Sequence, residues 1–91
     1  MMNEYGIVAF RSRQQVLMLD TALKQRGLRS WVVSTPRAIA LGCGLSVKFD
    51  LTQTEQVMDA YRATRNPTLI GFYRVYAASL PLQITPMRFQ G

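Results

Sequence analysis

The sequence holds one cysteine, Cys43, and it stands between two glycines in the run Leu41-Gly42-Cys43-Gly44-Leu45. A thiolate is both a nucleophile and a soft ligand, and flanking glycines remove the Cβ atoms that would otherwise screen it. The chain contains no histidine, so no imidazole is present as its base or as a fellow metal ligand. Any chemistry at Cys43 is that of a lone, accessible sulfur. Cys–His dyads and conventional zinc sites are excluded, because the five acids are scattered and no second thiol exists. A phosphate-cradling glycine loop of the usual pattern is also missing.

The approach to the cysteine is Ser34-Thr35-Pro36-Arg37-Ala38-Ile39-Ala40-Leu41-Gly42. Thr35 followed by Pro36 is a helix-start pattern, a cap and then proline at the first helical position. Ala38 to Leu41 favour one helical turn, and Gly42 is a credible stop for it. Such a turn would deliver Cys43 to a glycine corner just before the next strand. The cationic Arg37 and the N–H groups of a glycine-rich turn would both favour a thiolate there. A second reading stays open, in which Cys43 is a small buried hydrophobe, Arg37 a solvated loop residue and Thr35 only a cap.

The surrounding elements follow from periodicity. Tyr5-Gly6-Ile7-Val8-Ala9-Phe10 is apolar on both alternating faces and reads as a central strand. Ser12 with Gln15 makes a capping-box pattern, Val16, Leu19, Ala22 and Leu23 recur at helical spacing, and Gly27 supplies the stop. Leu28 to Val33 reads as a second strand. Leu45, Val47 and Phe49 alternate with Ser46, Lys48 and Asp50, which predicts a half-buried third strand. Thr52 and Glu55 suggest a second capping box, and Val57, Met58 and Tyr61 the buried face of a second helix. Arg62 and Arg65 suit its C-terminal dipole, and Asn66-Pro67 ends it. Leu69 to Tyr76 is the last strand.

Strand, helix, strand, strand, helix, strand with right-handed crossovers predicts an α+β, ferredoxin-like split βαβ sandwich. Four antiparallel strands would carry two helices on one face. Residues 1–76 form this domain. The tail, 77–91, holds Leu80, Leu82, Ile84, Met87 and Phe89 with one charge, Arg88. It is too apolar for a free tail and is expected to pack on the open sheet face or on a second subunit, which suggests a homodimer.

The whole chain bounds these readings. Ninety-one residues, 48% hydrophobic and 18% charged, make one globular domain. A single cysteine forms no internal disulfide, and the start Met1-Met2-Asn3-Glu4-Tyr5 lacks a signal-peptide pattern. No apolar run is long enough to span a membrane. The expectation is a cytoplasmic protein. Net charge is +6, with the cations dispersed. A solvated surface short of acids accounts for that, and the other reading is a bias toward acidic proteins or nucleic acid.

Tyr5 to Phe10, Ser12, Asp20, Leu23-Lys24, Gly27, Thr35-Pro36-Arg37 and Gly42-Cys43-Gly44-Leu45-Ser46-Val47-Lys48-Phe49 resemble the selenium/sulfur carrier-like family, a group of small bacterial domains. The resemblance runs from Tyr5 to roughly Tyr76. It implies that Cys43 carries sulfur or selenium as a persulfide or its selenium analogue, with Thr35, Pro36, Arg37, Gly42 and Gly44 shaping the loop. It further implies a cysteine desulfurase or selenocysteine lyase-type donor and an acceptor. Two features depart from the family: Ala38, Ala40 and Leu41 stand where a Glu and two Ser are common, and the apolar tail extends beyond the usual domain.

The first functional expectation is thus a carrier rather than an enzyme with its own turnover, needing no cofactor and no metal. The second is a small-molecule or protein-binding module with an incidental cysteine. The third is RNA binding through the open sheet, using Phe72, Arg74 and Tyr76 on one strand face.

Overall fold

A computed structural model of the chain describes residues 3–39, 44–64, 68–78 and 80–88. The elements are β1 (Glu4–Phe10), α1 (Arg13–Gln25), β2 (Ser30–Ser34), β3 (Leu45–Phe49), a 3-10 turn (Leu51–Gln53), α2 (Thr54–Thr64), β4 (Leu69–Tyr76) and β5 (Gln83–Pro86). They build one sheet in the order β2-β3-β1-β4-β5, with every neighbouring pair antiparallel. Each helix joins two strands that leave a gap of one strand, and the other unit fills it. β3 lies between β1 and β2, and β1 lies between β3 and β4.

Among the described residues the protein is therefore α+β with two α-helices, but the sheet has five strands and not the four expected. The fifth is Gln83–Pro86, from the apolar tail, which pairs with the outer edge of β4 through Val75↔Ile84 and Arg74↔Thr85. An unpaired row of N–H and C=O groups along β4 accepts any short extended segment able to reach it. Met87 follows, donating its N–H to the Phe72 carbonyl at 2.8 Å and packing against the core.

Local chemistry sets the helix limits. Ser12 caps α1, its hydroxyl accepting from the Gln15 N–H at 3.4 Å. The Gln15 side chain does not close the box; it reaches the Thr68 hydroxyl instead. At the other end Gly27 has φ 75°. The Leu28 N–H returns to the Leu23 carbonyl at 2.9 Å and the Gly27 N–H to Lys24 at 3.0 Å, the paired bonds of a left-handed helix stop. Leu28 is spent on that stop, which is why β2 starts at Ser30 rather than Leu28.

The second capping box is not formed. Asp50 instead caps the 3-10 turn that precedes the helix, accepting from the Thr52 N–H at 3.0 Å and the Thr52 hydroxyl at 2.9 Å. Those bonds, the backbone one first, hold its carboxyl below its ordinary pKa. A 3-10 turn intervenes, and α2 opens at Thr54. The Asn66-Pro67 break and Arg65 lie outside the described residues.

Both helices bury their apolar stripes against one sheet face. Val16, Leu19 and Leu23 of α1 and Val57, Met58 and Ala60 of α2 join Val8, Phe10, Val47, Phe49 and Phe72 in a single core. Tyr61 lies between two rings, 6.0 Å from Phe10 and 5.8 Å from Phe72, and its burial raises its phenol pKa. Gly6 is obligatory in this layer, since a Cβ there would lie 2.2 Å from Phe49 Cζ.

Candidate functional site

The connection that carries the cysteine joins β2 to β3, and the two strands hold its base in fixed register. Their ladder runs from Ser30↔Phe49 to Ser34↔Leu45, and one further bond, Thr35 N–H to the Gly44 carbonyl at 2.9 Å, closes the neck. Beyond it, the Ile39 N–H returns to the Pro36 carbonyl at 2.9 Å, so the chain makes a turn after Pro36. Arg37 is exposed on that turn and Pro36 is half-buried. Ala40 to Cys43 lie outside the described residues, and with them the Gly42 stop, the rest of the expected helical turn and the cysteine itself.

Thr35 does not serve as a helix cap. Its Oγ1 lies 2.6 Å from Ser46 Oγ, and both residues are buried. The pair is diagonal across the two strands, and each hydroxyl meets the other's need in a site closed to water. Gly44 lies against the same side chain, and a Cβ there would make a tight contact 3.0 Å from Thr35 Oγ1. Of the expected loop residues, the structure thus brings Thr35 and Gly44 together at the neck, with Pro36 and Arg37 on the turn above.

Ser46 is the residue that sequence reasoning missed. Alternation places it on the polar side of β3, yet it is 0% exposed. A signal was present: Thr35 and Ser46 are two hydroxyls within one strand step of the loop ends. Once the hairpin register is known, they must meet.

Ser46 belongs to the sheet face opposite the core, which no helix covers among the described residues. One row across this face reads Trp31, Lys48, Ile7, Tyr73 and Pro86; the next reads Val33, Ser46, Ala9 and Gly71. Lys48 Nζ stacks 4.3 Å from the Tyr5 ring centroid and 5.7 Å from that of Trp31. Tyr73 lies along its strand over Gly71.

The aromatic and basic set expected for RNA is not on this face. Phe72, Arg74 and Tyr76 share a strand face, but it is the helix side: Phe72 is in the core, and Arg74 Nη2 pairs with Glu4 Oε2 at 3.3 Å. The alternation in β4 is real; a single sequence does not reveal which side the helices take. No described helix is long and apolar enough to cross a membrane.

Comparison with curated proteins found no match, and comparison with solved structures found none. A family model described as "Putative Se/S carrier protein-like" matches residues 5–69. That span begins with β1, contains the whole β2–β3 connection with its glycine-flanked cysteine, and covers more than half of the sequence. The chain belongs to the selenium/sulfur carrier-like family.

Proposed function

We propose that the protein is a sulfur or selenium carrier that holds the atom transiently on Cys43. Family membership across the segment that contains the only cysteine is the observation that carries this reading. The chemistry required is thiol exchange. The Cys43 thiolate attacks the outer sulfur of a donor cysteine persulfide, the new S–S bond forms as the donor's breaks, and the donor leaves as a thiolate. A second nucleophile later takes the outer sulfur and restores the Cys43 thiol. Selenium would follow the same course.

Thr35, Pro36, Arg37, Gly42 and Gly44 shape the loop in this reading, and the buried Thr35–Ser46 pair anchors its base. The donor is a cysteine desulfurase or selenocysteine lyase-type enzyme, the compartment is the cytoplasm, and no catalytic turnover of its own is assigned. We also read the first four strands and two helices, residues 1–76, as a ferredoxin-like sandwich. Its strand order β2-β3-β1-β4 supports that, with the tail, 77–91, adding an edge strand.

Intact mass after incubation with a desulfurase and cysteine tests the carrier role. The protein should gain one sulfur atom, lost again on reduction, and Cys43→Ser should gain none while keeping its fold. Arg37→Ala should slow alkylation of Cys43 at neutral pH if the guanidinium favours the thiolate. A thiol that reacts only in denaturant would defeat the proposal.

A further inference from the structure

The two edges of the sheet are built differently. β5 is short and carries Pro86, which has no N–H to offer, a common way of blunting an edge. β2 has no such protection. Its sequence, Ser30-Trp31-Val32-Val33-Ser34, has no charge, no proline and three strong strand formers. Trp31 is 44% exposed and Val32 36%.

The direction of the free groups along β2 is fixed by the neck. Thr35 directs its N–H to Gly44, and antiparallel pairing alternates, so Trp31 and Val33 also face β3 with their backbone groups. The N–H and C=O groups of Ser30, Val32 and Ser34 therefore point away from the sheet. No described backbone or side chain accepts or donates there.

We propose that this edge pairs with the β2 edge of a second copy of the chain, antiparallel, about a two-fold axis at Val32. The strand is self-complementary in that register. Val32 meets the partner's Val32 as a hydrogen-bonded pair, and Ser34, which is exposed, lies opposite the partner's Ser30, whose own exposure is 6%. Trp31 falls opposite the partner's Val33, in the closer non-hydrogen-bonded pairing that suits an aromatic against a β-branched side chain. The flanking cations do not collide: Arg29 faces the partner's Thr35, and Arg37 faces the partner's Gly27. A one-residue slip would lose the outward pairing of Val32 with itself and place apolar side chains on the wrong face. The result is one continuous ten-stranded sheet, an isologous contact.

Sedimentation equilibrium and amide exchange test it on the full chain. The protein should weigh twice 10.3 kDa in the micromolar range, and Val32→Pro should weigh once that mass. Proline is tolerable at Val32 because only an outward N–H is removed. In the wild-type protein, the Val32 and Ser34 amides should exchange as slowly as those of Trp31 and Val33, and should lose protection on dilution. A wild-type monomer throughout that range, or a dimer that survives in folded Val32→Pro, overturns the proposal. Should Val32→Pro not fold, fast exchange at Val32 and Ser34 in the dimeric wild-type protein overturns it equally.

Discussion

Gly6 and Gly71 lie under aromatic rings on opposite faces of the same sheet, and their neighbours differ in one respect. Above Gly6 is Phe49, fully buried beneath the helices, with ring atoms 2.2 to 2.8 Å from where a Cβ would sit. Above Gly71 is Tyr73, half-buried on the face without helices, with its hydroxyl and outer ring atoms 3.0 to 3.2 Å away. The first ring is held by the core on all sides; the second can swing into solvent. The helix-covered face is a rigid layer in which each side chain is fixed by its neighbours. No described helix covers the other face, yet Ile7, Ala9, Ser46 and Val75 on it are at most 1% exposed, and Tyr73 and Trp31 at its margin reach solvent.

The largest effect that would sharpen this contrast is at Gly6. Gly6→Ala should destabilise the protein by about 3 kcal/mol, because Phe49 has no space to retreat and the strand must move. Urea unfolding reads this directly as a lower midpoint at unchanged slope. A loss below about 1 kcal/mol would mean that the covered face is far more compliant than close packing allows.

Next comes the hydroxyl pair, a buried polar contact on the face that no described helix covers. Ser46→Ala leaves a buried Thr35 hydroxyl without its partner and should cost about 2 kcal/mol. Removing both polar groups in Thr35→Val/Ser46→Ala should recover most of that loss, since an apolar pair of similar shape has nothing left unsatisfied. Equal costs in the single and double variants would show that the 2.6 Å contact contributes little.

The same contrast explains what could be read in advance. The covered face was legible because Val16, Leu19, Leu23, Val47, Phe49 and Val57 repeat with the periods of a helix or a strand, and burial follows from period. The limits of β4 emerged to the residue, and β3 stops one residue short of the alternating run, because Asp50 caps the turn that follows. The face that no described helix covers was less legible, because Thr35 and Ser46 look solvated until the hairpin register brings them together. Helix starts were mixed for a related reason. Ser12 and Asp50 are both good caps, but Thr52 and Glu55 satisfy the same spacing rule as Ser12 and Gln15, and only geometry chose Asp50. The fifth strand was missed because Gln83 to Pro86 is short and carries a proline, both arguments against a strand unless an open edge is already waiting. Around the cysteine, the glycine pattern pointed to a loop, and the neck residues placed its base.

A smaller effect is expected at Lys48. Lys48→Met keeps the apolar stem and removes only the charge above Tyr5 and Trp31, so the loss should be about 0.5 to 1 kcal/mol. Trp31 fluorescence should shift with it, since the ammonium lies 5.7 Å from the indole ring. An unchanged spectrum and unchanged stability would remove the stack from the list of pairs that hold this face.

The smallest change is expected at Gly71, where the comparison is most exposed to failure. Alanine there gains strand propensity and lowers the entropy of the unfolded chain, a benefit of roughly 0.5 to 1 kcal/mol at an unstrained position. Against this stands the contact with Tyr73, which the ring relieves by shifting a few tenths of an ångström toward solvent. Gly71→Ala should therefore be near neutral, within about 0.5 kcal/mol of the native protein, although Gly6→Ala is severe. Tyr73→Ala combined with Gly71→Ala removes the contact altogether and isolates the backbone benefit of alanine. A cost at Gly71 comparable with that at Gly6 would mean that Tyr73 is held as firmly as Phe49. Some layer other than the helices would then have to clamp the second face.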